Sequence, residues 1–226
     1  MDKQIMMCPR RLAVLAGAFI VTASSILGLF AAYPLATDDA GTVKLNSYEL
    51  EAGYDNCRDE NKLLNQSCGI SFKHGITEKM DIGLSVPLQV SPVKEERLGE
   101  ASIILKFSLV RDILAASFSN ELGGKDYFLN AIYTKEFPSV IFNLNAGYLS
   151  TGDETVKGTG TYGASFEIPI KKFEVAGEVH GQEGGTGNGL VGLRYRISES
   201  IFVATGFSRL FDSNTNKVTA GFHSEF

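Results

Sequence analysis

The chain has 226 residues, a formal net charge of −5, 44% hydrophobic residues, 24 glycines, 6 prolines and no tryptophan. That length allows one domain or one medium barrel. The acidic balance leaves no basic patch for nucleic acid, and frequent glycine suits a curved sheet better than helices.

Residues 1–31 differ in kind from the rest. Lys3, Arg10 and Arg11 precede an uncharged, mostly apolar run from Leu12 to Ala32. This is the layout of a secretory signal peptide, with cleavage expected near Ala31 or Ala32. The run is also long enough for an uncleaved helical anchor. Cys8 precedes the apolar core, a poor position for a lipoprotein cysteine. Residues 32–44 then read as a polar periplasmic leader. They are either disordered or tucked into a barrel mouth, with Asp38 and Asp39 against a basic residue such as Lys73.

From residue 45 to 226 no useful helical period appears. Apolar and polar residues alternate instead in about twelve segments of roughly ten residues. The expected strands run near 45–55, 66–76, 80–91, 100–110, 113–121, 126–137, 139–150, 159–170, 172–182, 188–198, 200–210 and 215–226. In the segment at 139–150, Val140, Phe142, Leu144, Ala146 and Tyr148 share one face, while Asn143, Asn145 and Gly147 share the other. Successive side chains of a strand point to opposite faces, so each segment has one greasy and one polar side. Joints alternate between short (Arg111–Asp112, Lys171) and long (Thr151–Gly158). Bacterial barrels combine short periplasmic turns, longer outer loops and an even strand count. A soluble β-sandwich would alternate apolar and polar too, but nothing obliges its loops to alternate in length. The fold class expected is therefore an all-β, antiparallel up-and-down transmembrane β-barrel of about twelve strands in a bacterial outer membrane. Its partners would be outer-membrane lipid and the barrel-assembly machinery. The final strand ends on Phe226, an aromatic terminus of the kind that machinery reads as an assembly signal.

The same parity gives the lumen its chemistry. Glu49, Glu51, Lys73, Asp81, Lys106, Glu136, Glu167, Glu174, Glu178, His180, Arg194 and Arg196 fall opposite the greasy face. A charge facing lipid costs about 2–4 kcal/mol at the midplane, so charges belong inside. His74 and Lys135 fall outward, near periplasmic turns where that cost is small. Glu174 and Glu178 should neighbour Arg194 and Arg196 on the next strand, either as an ion-pair ladder that stiffens the wall or as a constriction that selects solutes. Cys57 and Cys68 flank a short polar stretch; in an oxidising compartment they could pair and clip a loop, or remain thiols.

Catalysis is not expected: His180 and His223 lie on strands that are not adjacent, and a nucleophile needs its base within hydrogen-bond reach. Metal ligands at recognisable spacing are absent from the sequence, and no cofactor is expected. What remains is a channel or transporter for small solutes. The alternative is a structural or scaffolding barrel that holds a partner protein. The lumen of about twelve strands would be narrower than that of a 16-stranded porin.

The run Pro34-Leu35-Ala36-Thr37-Asp38-Asp39-Ala40-Gly41-Thr42, followed by Tyr48-Glu49-Leu50-Glu51, resembles the start of a family of outer-membrane barrels labelled transporters of the phenol meta-cleavage degradation pathway. That family has a Pro-Leu-x-Thr-Asp-Asp-Ala motif leading into a first strand with a similar Glu-x-Glu pattern. The resemblance covers about twenty residues. It implies a barrel and uptake of small, often aromatic or hydrophobic, compounds.

Overall fold

The computed structural model describes residues 33–226 except 59–62, 94–96, 154, 186, 212 and 214. The expected signal peptide lies outside the described residues. Twelve strands follow in order: β1 Tyr48–Arg58, β2 Leu64–Thr77, β3 Met80–Ser91, β4 Ser102–Val110, β5 Leu114–Glu121, β6 Tyr127–Phe137, β7 Val140–Ser150, β8 Thr159–Ile170, β9 Phe173–Gln182, β10 Asn188–Arg196, β11 Ile201–Leu210 and β12 Asn216–Glu225. Each pairs antiparallel with its chain neighbours, and β1 pairs with β12, which closes the barrel. Closure removes the unpaired sheet edges that lipid could not hydrogen-bond.

The outer surface is apolar. Ile70, Phe72, Leu84, Phe107, Leu129, Leu144, Val191, Phe207 and Val218 are all exposed, as residues must be when their solvent is hydrocarbon. Leu144, at the middle of β7, is 52% exposed. Leu144→Arg should cost about 2–4 kcal/mol at that depth, read as a lower urea midpoint for the folded barrel.

Aromatic side chains gather towards the strand ends. At the short-turn end, which the loop rule makes periplasmic, Tyr48 stacks on Phe72, His74 and Phe226 at 5.5, 4.5 and 5.8 Å, and Phe173 meets Tyr195 at 5.1 Å. Tyr127 lies near Phe118 and Tyr148 at the other end. His74 and Lys135 face outward beside this periplasmic belt, His74 on Tyr48 and Lys135 with its ammonium 5.8 Å from the Phe137 ring centre. Phe226 also exchanges two backbone hydrogen bonds with Tyr48, at 2.8 and 3.0 Å. The last residue thus pins the seam. Removing Phe226 should lower the fraction of chain that reaches the compact, heat-modifiable form on gels; an unchanged fraction would deny it an assembly role.

The structure differs from the sequence-based reading at the first hairpin. β1 starts three residues later than expected, because Asn46 takes a left-handed conformation (φ 62°) and turns the chain into the strand; asparagine tolerates that region better than most side chains. β1 and β2 then continue to Arg58 and Leu64, so Cys57 and Cys68 lie in strands and do not flank a free loop. Cys57 sits across from Asn65, and Cys68 across from Tyr54. With strict alternation the two side chains point to opposite faces of the sheet, a geometry that does not favour a bridge between them.

Inside the barrel lies the feature that the strand pattern alone could not reveal. Residues 33–44, here called the strap, run within the lumen, with Leu35, Thr37, Asp38 and Ala40 all buried. The strap passes round the wall from β12 and β1, by way of β10, β8 and β6, to β3 and β2, and touches every strand.

Candidate functional site

Glycines make the seats. A β-carbon on Gly53 would lie 1.8 Å from the Tyr33 ring, and one on Gly221 2.4 Å from Tyr33 Cβ. Pro34 fills the corresponding space at Gly192 (2.3 Å) and Gly206 (3.0 Å), and Thr37 that at Gly163 (2.7 Å). Glycine inside a strand weakens it but admits a second backbone at close range. Between these seats Leu35 packs on Ala176 and Leu190, and Ala40 on Ala115 and Ile132.

Polar wall groups hold the strap's backbone. Glu178 accepts the N–H of Ala36 at 2.7 Å and of Thr37 at 2.5 Å, and its other oxygen lies 2.8 Å from His180 Nδ1. Asn145 accepts the Asp38 N–H at 2.9 Å and donates to the Asp38 carbonyl at 2.8 Å. Thr134 accepts from Ala40 N–H (2.8 Å) and Asp81 from Val43 N–H (2.9 Å). Arg194 Nε donates to the Tyr33 carbonyl at 2.7 Å. The Asp38 carboxylate meets Lys106 Nζ at 3.0 Å, with Asp39 at 3.9 Å.

Beneath the strap a continuous network joins its two ends. The hydroxyl of Thr134 donates to Asn143 Oδ1. Asn143, fully buried, donates to Glu167 at 2.8 Å. Glu167 and Glu174 both bind the Arg194 guanidinium, which returns to Tyr33. Fully satisfied networks of this kind rigidify a site, and partial loss is costly.

Apart from Glu136 and Arg196, the charged residues expected inside fall into three sets. Lys106, Asp81, Glu178 and Arg194 touch the strap. Glu167 and Glu174 act on it through Arg194, and His180 through Glu178. Lys73 stands apart with Glu49 at 2.6 Å and Glu51 at 3.9 Å. Two expected contacts take a different form. Asp38 and Asp39 lie against Lys106, not Lys73, because Lys73 is held by the β1 acids opposite it. The ladder is Arg194 with Glu174 and Glu167. Glu178 sits across from Leu190 and is engaged by the strap, while Arg196 and Glu136 are exposed near the periplasmic rim. Asn143, Asn145, Asn130 and Thr134 were missed as site residues. Their signal was present, since Asn143 and Asn145 sit on the polar face of β7, but a search for charge passes over neutral amides.

Glu49, His223 and Glu225 place ligand atoms within 4.8 Å of one another at the periplasmic end. Lys73 already neutralises Glu49, and His223 bonds Glu51 at 3.1 Å, so internal pairs occupy this cluster. On the outer side of the strap, a shallow recess partly open to solvent is lined by Asn130, Asn145, Thr161 and His180 over a floor of Ala36 to Asp38. In the outer loop before β6, partial burial and then the neighbouring Glu100 raise the Asp126 carboxyl above its ordinary value.

A closed barrel with an apolar outside, a charged inside and alternating loops is the fold of an outer-membrane β-barrel. No family model matches the chain, and no curated protein matches it. Among solved structures it is similar to a KdgM porin, at 10% identity and TM-score 0.59 over 78% of this chain and 99% of that one. It is similar also to a KdgM porin in complex with disordered oligogalacturonate, at 8% identity and TM-score 0.60 over 79% and 99%. At these identities the likeness is one of fold. A Rhodopseudomonas blastica porin variant overlaps less well, with TM-score 0.40 over 71% of this chain and 55% of that one.

Proposed function

We propose that the protein is a porin-like channel for small solutes, held closed by its own strap and conducting when the strap withdraws. The observation that carries this reading is the strap itself: a buried segment seated on inward glycines and held by side chains, with few contacts to its own backbone. A segment fixed in that way can leave without breaking a β-ladder.

The wall favours neutral or cationic solutes. Glu49, Glu51, Asp55, Asp81, Glu167, Glu174 and Glu178 face inward against Lys73, Lys106, Arg194 and Lys217, and Glu100 and Asp126 add acid at the outer mouth. An excess of one sign in a low-dielectric passage concentrates ions of the other. A polyanion such as the oligogalacturonate seen with the KdgM porin would meet repulsion here. Uptake of aromatic or hydrophobic compounds rests on the resemblance of residues 34–42 alone, since the wall is polar.

The test is current through planar bilayers under a KCl gradient. Open events should reverse at a potential that favours K⁺ over Cl⁻, and Arg194→Gln should strengthen that preference. Anion preference would overturn the solute class. A silent barrel that co-purifies with a periplasmic protein would favour the scaffold instead.

A further inference from the structure

The strap is bound as a peptide ligand is bound. We infer that the lumen wall is a binding site for short extended peptides, and that the strap is its ligand in cis. This inference rests on the proposed withdrawal of the strap, which would bare the site.

The groups involved read a peptide backbone. Glu178, Asn145, Thr134 and Asp81 each accept strap N–H groups. Asn145 does more, pairing with both the N–H and the C=O of Asp38. That two-bond match suits an amide and gives nothing comparable to an inorganic ion or a hydrocarbon. Arg194 takes one further carbonyl. Side chains are read as well: an apolar niche at Ala176 and Leu190 takes Leu35, a smaller one at Ala115 and Ile132 takes Ala40, and Lys106 takes the acid of Asp38. Backbone hydrogen bonds for affinity and separate niches for specificity are the two parts of extended-peptide recognition.

The wall also offers an acceptor that the strap leaves unused. Asn145 Oδ1 must accept the Asp38 N–H, so Asn130 presents its amide nitrogen to Asn145, at 3.0 Å. This fixes the Asn130 orientation and leaves its buried Oδ1 without a donor, on the wall of the outward-open space above the strap. The ligand class is a short extended peptide with a leucine-sized apolar residue followed, three positions on, by an acid, as Leu35 is followed by Asp38.

The strap competes at the high effective concentration of a tethered ligand, so the test weakens the strap and keeps the wall. Full-length protein carrying Leu35→Asp and Asp38→Asn is titrated against a fluorescent peptide of residues 33–44, read by anisotropy, with conductance recorded in parallel. The peptide should bind saturably, a scrambled peptide should not, and adding Asn145→Ala should weaken binding by roughly tenfold or more. Equal binding of both peptides, or no saturable binding, overturns the inference. Binding by a barrel that never conducts would overturn the proposed channel and leave the peptide site standing. Conduction without binding would do the reverse. If the double variant does not assemble, Leu35→Asp alone gives the same comparison.

Discussion

Replacing Glu178 with alanine is expected to open the barrel. Glu178 holds two successive N–H groups of the strap, and hydrogen bonds to a charged group contribute about 1.5–3 kcal/mol each. Losing both shifts the strap equilibrium by roughly a hundredfold or more towards release. No wall strand depends on the Glu178 side chain for its ladder, so the barrel should still migrate as the compact form on unheated gels. Single-channel recordings should show the fraction of open time rising steeply against the unchanged chain. Glu178→Gln should fall between them, since an amide oxygen still accepts but carries no charge. Open time that does not change in Glu178→Ala would mean that the strap is not held by this group.

The second large effect is on stability. Arg194→Met keeps much of the side-chain volume but leaves Glu167 and Glu174 facing each other with no cation between them. Breaking a buried pair by removing one partner costs about 3–5 kcal/mol, and the Tyr33 carbonyl loses its donor as well. The urea midpoint of the folded barrel should fall markedly. Adding Glu167→Gln and Glu174→Gln to Arg194→Met should recover much of the loss, because the penalty belongs to the uncompensated acids. An Arg194→Met barrel as stable as the unchanged chain would remove the network beneath the strap from the account.

Alternation made the wall legible. Eleven of the twelve strands begin within two residues of where the sequence places them, because each strand must turn one face to lipid and that constraint is written at every second position. The charged lumen residues followed from the same parity. The strap did not. Residues 33–44 have no period, and their binding depends on the absence of side chains at Gly53, Gly163, Gly192, Gly206 and Gly221. In sequence such glycines read only as weak points in strands; they acquire meaning when five strands bring them to face the same lumen. The resemblance quoted for residues 34–42 falls on the segment that fills these seats. Leu35, Thr37, Asp38 and Ala40 each have a place in the wall. The first hairpin misled for a related reason: polar residues from Asn56 to Gln66 looked like a loop, but Asn56, Arg58, Asn65 and Gln66 continue the β1–β2 ladder.

The most direct measurement compares full-length protein with a chain lacking residues 34–42, each reconstituted in planar bilayers. If the strap closes a porin-like channel, the unchanged protein gives rare or small openings and the deleted protein gives sustained, cation-selective current. Equal currents from the two, in barrels that both migrate as the compact form, would contradict the account.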